Sequence, residues 1–172
     1  TLGIFGMGRI GAAVAQRCAG GWGMKVVYCS RTPKTEIAPE GSEHVDFKTL
    51  LKVSDFVSVH APLTHKTRGI FDSKAFAAMK PSAVFINTGR GEIHDQAALA
   101  KALQQGQIFS AGLDVTAPEP IDKNDPLLTL SNCSLSANIA AKAGGGVHSD
   151  AANVVMNATA LRSNEAKATY GG

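Results

Sequence analysis

The chain has 172 residues, a formal net charge of +3 and an apolar fraction of 44%, which fit one globular domain with a sizeable core. No apolar run approaches the ~20 residues that a membrane span needs, and we expect no signal peptide at the start. The basic residues are scattered, so we expect no nucleic-acid partner. The three cysteines form no C-x-x-C pair, which favours reduced thiols and a cytoplasmic protein.

Strand-like and helix-like segments alternate along the chain. The predicted strands are 2–6, 24–29, 45–47, 56–60, 83–87, 110–115 and 133–137. The first predicted helix carries Ile10, Val14 and Cys18 on one face and stops at Gly20 and Gly21. The later predicted helices are 47–53, about 73–79, one that Asp95 caps and Gly106 closes, and one over 151–161.

This alternation predicts an α/β fold. The strands are apolar on both faces, which is typical of a parallel sheet covered on both sides. Right-handed crossovers then give a doubly wound Rossmann fold, a three-layer α/β/α single domain. Ligands in such folds bind beyond the carboxyl ends of the strands.

The segment GMGRIG follows the first predicted strand and opens the first predicted helix. It places Gly6, Gly8 and Gly11 in G-x-G-x-x-G spacing, which in this context is typical of a dinucleotide-binding turn. Gly6 permits a tight turn, Gly8 lets backbone approach a pyrophosphate, and Gly11 allows close packing of helix on strand. The N–H groups at the helix start then bind phosphate. A glycine turn without a ligand is the alternative interpretation.

The second predicted strand ends in YCSRTPK. Ser30 stands where an acidic residue would bind the ribose hydroxyls of NAD, and Arg31, Thr32 and Lys34 follow it. A hydroxyl and two cations suit a 2′-phosphate, which a carboxylate would repel. We therefore expect NADP(H) as the favoured cofactor and leave NAD(H) open, because a solvated basic turn would accept either.

Segments spread between residues 1 and 133 carry a family resemblance: GIFGMGRIG, SDFVSVHAPLTHKTRGIF, MKPSAVFINTGRGEIHDQAALAKALQQGQI, AGLDVTAPEP and DPLLTLSNC. The chain resembles the cofactor domain of the D-isomer-specific 2-hydroxyacid dehydrogenases, and among them the glyoxylate/hydroxypyruvate reductases. The resemblance implies an oxidoreductase that acts on the CH–OH group of 2-hydroxy acids, with a small 2-oxoacid as substrate.

The catalytic set of this family is an arginine, a glutamate and a histidine. The resemblance assigns Arg90, in NTGRG, as the clamp on the substrate carboxylate, a task that suits the planar guanidinium. It assigns Glu119, in APEP, as the residue that orients the histidine and raises its pKa. The implied cofactor contacts are Met7, Gly8, Arg9 and Ile10 at the pyrophosphate, Ala61, Pro62 and Thr67 on the adenosine side, Thr88, Gly89 and Arg90 at the nicotinamide ribose, and Asp114 at the carboxamide.

The chain departs from the family pattern at the histidine. Aligned from NCSLS, Asn138 occupies that position, and Ala140 and Ala141 replace the usual glycine and serine. We keep Asn138 and Ala140 among the cofactor-binding positions. An asparagine cannot supply a proton near neutral pH, and positioned general acid–base catalysis contributes roughly 10²–10⁴-fold. We therefore expect impaired hydride-transfer chemistry.

The remaining histidines do not obviously replace the missing proton donor. We expect His44 and His65 in surface loops, His60 at a strand end, His94 before a helix cap, and His148 on a helical stretch. None has metal-ligand spacing with another, so no metal site is expected.

We expect residues 1–172 to form a dinucleotide-binding domain, with the substrate domain of the family absent. The changes after Ser136 cluster in the part of the chain that would face that domain, which favours an engineered or trimmed domain resurfaced for solubility. The hypotheses are an NAD(P)(H)-binding module with little turnover, a weakly active NADP-dependent 2-oxoacid reductase, and a cofactor-sensing interaction module. A homodimer is also open, because the family dimerises largely through this domain.

Overall fold

The computed structural model describes residues 1–129 and three short strands at 133–135, 139–140 and 165–166. The strands of the main sheet are β1 (Leu2–Phe5), β2 (Val26–Cys29), β3 (Glu43–His44), β4 (Phe56–Val59), β5 (Val84–Asn87), β6 (Ser110–Leu113) and β7 (Cys133–Leu135). The α-helices are α1 (Arg9–Trp22), α2 (Phe47–Val53), α3 (Ser73–Ala77) and α4 (Gln96–Gln104). Short 3₁₀ helices cover Gly91–Ile93 and Pro126–Thr129.

The sheet has the order β3-β2-β1-β4-β5-β6-β7, and every neighbouring pair is parallel. The order reverses at β1, which pairs with both β2 and β4: Leu2 lies between Val26 and Phe56. The predicted doubly wound α/β fold is therefore confirmed. Its reversal point puts the loops after β1 and β4 side by side, where open α/β sheets bind ligands.

Two hydrophobic clusters lie on opposite faces of the sheet, and the smaller one lies over β1 and β2. Leu2 and Ile4 of β1 pack with Ala12 and Ala15 of α1. Phe5 points to the opposite face, which α2, α3 and α4 cover with a larger cluster. Because side chains alternate along a strand, one strand supplies both clusters, and the three-layer arrangement follows.

Phe71 lies at the centre of the larger cluster. Its ring is fully buried and lies 5.0 Å from the ring of Phe85, 5.2 Å from Phe5 and 5.2 Å from Phe47, measured between centroids. These rings come from β1, α2 and β5, so Phe71 joins elements that are distant in the chain.

The first helix is longer than predicted. Helix α1 continues through Gly20 and Gly21 to Trp22, and it ends at Gly23, which has a φ of +61°. The prediction was wrong because the left-handed residue that ends a helix is the third glycine of the run AGGWG, not the first two.

The third strand also lies elsewhere than predicted. Strand β3 is Glu43–His44 rather than 45–47, and both its residues are exposed. It is an edge strand held by backbone pairing to Val27 and Tyr28, so no apolar run marks it. His44 is therefore a strand residue and not the loop residue predicted.

The helix predicted over 47–53 has these same bounds as α2, and the other predicted elements that are described occur with shorter ends. Asp95 caps α4 as predicted by accepting from the Ala98 N–H. Strands β8 (Ile139–Ala140) and β9 (Glu165–Ala166) form a separate parallel pair that was not predicted. The predicted helix over 151–161 lies outside the described residues. Among the helices that are described, none is long and apolar enough to cross a membrane.

Replacing Phe71 by alanine should lower the free energy of unfolding by roughly 3–5 kcal/mol, the usual cost of deleting a buried aromatic ring. The matched control is Phe109→Ala, because Phe109 is 61% exposed and exposed substitutions usually stay within ~0.5 kcal/mol. Urea unfolding of both variants checks this, and equal losses would contradict the central position of Phe71.

Candidate functional site

The turn between β1 and α1 is too tight for side chains at two of its glycines. Gly6 has a φ of +102°, and a Cβ there would lie 2.5 Å from the Ala61 nitrogen. A Cβ on Gly11 would collide with the carbonyl oxygen of Gly6. The fold itself therefore requires Gly6 and Gly11, as the sequence predicts, because backbone must approach backbone at both positions.

Gly8 is different, because the fold gives no reason for a glycine there. Apart from its two neighbours in the chain, no residue has an atom within 4 Å of a Cβ built on Gly8, and its φ of −95° and ψ of −165° suit any residue. Gly8 is the N-cap of α1, which has no side-chain cap and no acidic residue in its first turn. The open space thus lies beside uncapped N–H groups at the positive end of a helix, which suits an anion.

Two residues of this turn differ in what they can offer a ligand. Met7 is 1% exposed and its side chain belongs to the smaller cluster. Only its main chain can therefore make the predicted contact with a pyrophosphate. Ile10 is 69% exposed. Several other predicted cofactor positions are also exposed, and they follow the carboxyl ends of the central strands: Arg9, Arg31, Thr32, Pro62 and Thr88.

The basic turn after β2 is held by its own polar groups. The Ser30 hydroxyl donates to the carbonyl oxygen of Thr32 (2.7 Å), and the Lys34 N–H donates to the Tyr28 hydroxyl (2.9 Å). His44 Nε2 donates to the Ser30 carbonyl oxygen (2.9 Å). Arg31 is exposed, so the turn presents a cation to solvent beside the glycine turn.

Thr67 closes the turn that follows β4. Its hydroxyl donates to the carbonyl oxygen of Pro62 (2.7 Å) and accepts from the Thr64 N–H (2.8 Å). Ala61 begins this turn, and its main chain lies against Gly6. The hydroxyl of Thr67 is thus used to shape the turn, and its place beside adenosine stays a prediction.

The NTGRG loop is organised by the buried amide of Asn87, the last residue of β5. Asn87 Nδ2 donates to the carbonyl oxygen of Arg90 (2.9 Å), and the Gly89 N–H donates to Asn87 Oδ1 (2.9 Å). The Arg90 side chain is exposed, with Nη1 donating to the Gly89 carbonyl oxygen (2.8 Å). The loop therefore presents a guanidinium at the carboxyl edge of the sheet.

The loop after β6 lies against this arginine loop. A Cβ on Gly91 would collide with the carbonyl group of Thr116, and the Asp114 N–H donates to the Asn87 carbonyl oxygen (3.0 Å). Burial raises the pKa of Asp114. Glu119 is exposed further along the loop. The structure thus brings the two loops together, although no ion pair joins Arg90 to Glu119 within the described part of the chain.

Gln96 and His94 support these loops from beneath. Gln96 Oε1 accepts from the Ala117 N–H (2.9 Å), and its Nε2 donates to Asp125 Oδ2 (2.5 Å). His94 is 3% exposed, and its Nδ1 lies 3.0 Å from Asn87 Nδ2. Sequence reasoning missed both roles and that of Asn87. The only available signal was their place at or after the end of β5, the strand that precedes Arg90.

A family model described as D-isomer specific 2-hydroxyacid dehydrogenase, NAD binding domain, matches residues 1–140. The chain belongs to this family. The matched range includes the glycine turn, the Arg90 loop and the Glu119 loop. The resemblance inferred from the sequence is confirmed.

Relatives of known name agree with this membership. Glyoxylate reductase of Thermococcus litoralis is 52% identical over 140 residues, which are 81% of this chain and 42% of that protein. Glyoxylate/hydroxypyruvate reductase B of Shigella boydii is 48% identical over 133 residues, which are 77% of this chain and 41% of that protein.

Two solved structures match the fold of this chain. The TT0316 protein from Thermus thermophilus has a TM-score of 0.71 and 47% identity over 77% of this chain and 40% of its own. The NAD-complexed D-isomer specific 2-hydroxyacid dehydrogenase from Lactobacillus delbrueckii has a TM-score of 0.65 and 42% identity over 69% of this chain and 35% of its own. The chain spans less than half the length of these relatives.

The side chains of two predicted site positions, Asn138 and Ala140, are not among those that the structure describes. Asn138 lies outside the described residues, as does His148. Ala140 belongs to β8, of which only the backbone is described. In the described part of the chain, no group of three or more histidine, cysteine or acidic side chains is placed to hold a metal ion.

The buried imidazole of His94 should make stability depend on pH. Burial lowers the pKa of His94 to about 4, whereas an unfolded histidine titrates near ~6.5. The unfolded chain therefore binds more protons than the folded chain between these two pH values. The contribution of neutral His94 to the free energy of unfolding is complete above about pH 6.5 and is lost as the pH falls towards about 4. The expected loss of unfolding free energy is roughly 3 kcal/mol.

Urea unfolding of the unaltered protein, His94→Leu and the exposed control His65→Leu, each measured between about pH 4 and pH 8, checks this contribution. We expect a flatter pH profile for His94→Leu and an unchanged profile for His65→Leu. Burial also lowers the pKa of His60, but that effect is common to all three proteins. Parallel profiles for all three would contradict a neutral, buried His94.

Proposed function

We propose that this chain acts as an NAD(P)(H)-binding domain of the glyoxylate/hydroxypyruvate reductase type, with impaired proton transfer. The observation that carries the proposal is the open space at Gly8. The fold explains Gly6 and Gly11 by backbone contact but leaves Gly8 without a structural reason, and the adjoining N–H groups have no side-chain cap. A bound pyrophosphate accounts for both features.

Residues of this chain would bind the cofactor and the substrate at separate parts of the carboxyl edge. A bound nicotinamide dinucleotide supplies or accepts a hydride. The start of α1 holds its pyrophosphate, and Thr88 and Gly89 border the nicotinamide ribose. Arg90, exposed at the same edge, binds the carboxylate of a small 2-oxoacid through its planar guanidinium. Glu119 has no proton-exchanging partner at Asn138, so the alkoxide formed from the substrate is not efficiently protonated.

We also propose a preference for NADP(H). The turn after β2 presents Arg31 to solvent, and the Lys34 ammonium forms a long ion pair with Glu36 (3.9 Å). Two cations close to the ribose end favour an additional phosphate group. Because the Ser30 hydroxyl already donates to Thr32, the preference is assigned to the cations rather than to Ser30.

Changing Gly8 to aspartate separates cofactor binding from folding. An aspartate is a favourable N-cap, so stability should be equal or higher, while its carboxylate fills the anion site and should weaken NADPH and NADH binding by about 100-fold or more. Nicotinamide fluorescence titration and urea unfolding measure the two effects.

The matched control is Gly20→Asp at the other end of the same helix, where a Cβ also meets open space. This variant should lose a little stability, because acids are unfavourable near a helix C-terminus, and keep its cofactor affinity. If Gly8→Asp binds as tightly as the unaltered protein, the glycine turn is not the pyrophosphate site.

Replacing Arg31 by alanine should weaken NADPH binding by roughly tenfold to a hundredfold, the worth of one charge-assisted hydrogen bond, and change NADH binding little. Arg17→Ala is the control, since Arg17 is an exposed arginine on α1 whose Nη1 donates to the Ala13 carbonyl oxygen. Titrations of each variant with NADPH and with NADH measure the two affinities. An equal loss of affinity for NADPH and NADH would show that Arg31 does not bind the 2′-phosphate.

A weakly active NADP-dependent 2-oxoacid reductase is the second candidate, favoured by the contact between the Arg90 loop and the loop that carries Glu119. In that case Asn138→His should raise NADPH-dependent glyoxylate reduction by roughly 10²–10⁴-fold, and Arg90→Ala should abolish it. Loss of NADPH absorbance measures both rates. An unchanged rate in Asn138→His, with cofactor binding intact, would leave the binding module as the better description.

A further inference from the structure

His94 is a buried titratable group that the proposed chemistry does not use. Its ring packs against Phe85, with 5.7 Å between ring centroids, beneath the loop that carries Arg90. Only one of its two ring nitrogens has a hydrogen-bond partner among the described residues: Nδ1 lies 3.0 Å from Asn87 Nδ2, and the buried Nε2 has none.

The orientation of the Asn87 amide decides which nitrogen of His94 carries the proton. Asn87 Oδ1 accepts from Gly89, and Nδ2 donates to the Arg90 carbonyl oxygen. Turning the amide over would set its NH₂ against the Gly89 N–H and its oxygen against the Arg90 oxygen. Nδ2 therefore faces the imidazole as a donor, and Nδ1 of a neutral His94 accepts the second hydrogen of the amide.

This arrangement costs free energy that an apolar side chain at the same position would not cost. With Nδ1 as acceptor, the proton lies on Nε2, where a buried donor without a partner costs roughly 1–3 kcal/mol. An apolar side chain of similar size would fill the space without that cost. What the imidazole adds is an acceptor for the Asn87 amide.

We propose that His94 is a positioning residue that acts through Asn87. By accepting from Nδ2, it holds the amide so that both its ends stay bonded to the loop, at Gly89 and at Arg90. The main chain of the loop is thereby kept where the Arg90 side chain faces the carboxyl edge. The inference rests on the proposed function only for what the loop binds, and not for how the loop is held.

The test compares the unaltered full chain with His94→Leu, which removes the acceptor, and with His94→Gln, whose carbonyl oxygen restores one. Two quantities are measured on ¹⁵N-labelled protein: the exchange rate of the Gly89 amide hydrogen, with the amides of β4 as an internal reference, and the affinity for NADPH. We expect exchange at Gly89 to be about tenfold faster in His94→Leu while β4 changes much less, since one bond supports it.

NADPH affinity should fall several-fold in His94→Leu, and His94→Gln should recover most of both effects. Unchanged Gly89 exchange in His94→Leu, or a His94→Gln variant no better than His94→Leu, would show that His94 only fills space. If the unaltered protein binds no cofactor, the proposed function fails, and Gly89 exchange still decides the role of His94.

A measurement on the unaltered protein covers the case in which His94→Leu does not fold. The ¹⁵N resonances of the His94 ring report which nitrogen carries the proton. The proposal requires the proton on Nε2 with Nδ1 unprotonated, and a proton on Nδ1 would overturn it.

Discussion

The structure depends on the close approach of backbone to backbone at the turn between β1 and α1. Gly6 lies against Ala61 at the end of β4, and Gly11 lies against the carbonyl oxygen of Gly6. A side chain at either position would push α1 away from the sheet or separate β1 from β4. Because both contacts are made, the start of α1 lies at the point where the strand order reverses. Every other functional loop is arranged around that point.

The loops at this edge hold one another in place. The amide of Asn87 closes the loop that carries Arg90, Gly91 lets that loop lie against Thr116, and Gln96 ties Ala117 to Asp125. The contact of Gly91 with Thr116 joins the loop after β5 to the loop after β6, and the side chains of Asn87 and Gln96 hold these two loops in shape. The edge is therefore a connected polar layer above a hydrophobic core, which suits a site that must hold a long ligand in one orientation.

Much of this could be predicted from the sequence, because it depends on local patterns. Apolar runs mark the central strands, and the glycine spacing marks the turn after β1. The edge strand β3 could not be predicted, since Glu43 and His44 are exposed and are paired only through their backbone. The supporting residues Asn87, His94 and Gln96 were missed for other reasons. The bond between Asn87 and the Gly89 N–H follows a local turn pattern that the sequence analysis did not apply. The partners of His94 and Gln96 lie 7 to 29 residues away in the chain, at no spacing that a local rule describes.

The proposed function places a nicotinamide dinucleotide across the carboxyl edge, between the glycine turn and the Arg90 loop. The most direct measurement is a titration of the ¹⁵N-labelled full chain with NADPH, followed by the backbone amide resonances. This placement predicts saturable shifts at Gly8, Arg9 and Ile10 and at Thr88 and Gly89, with little change in the exposed residues at the far end of α1. No saturable shift at millimolar NADPH, or shifts confined to residues away from this edge, would contradict it.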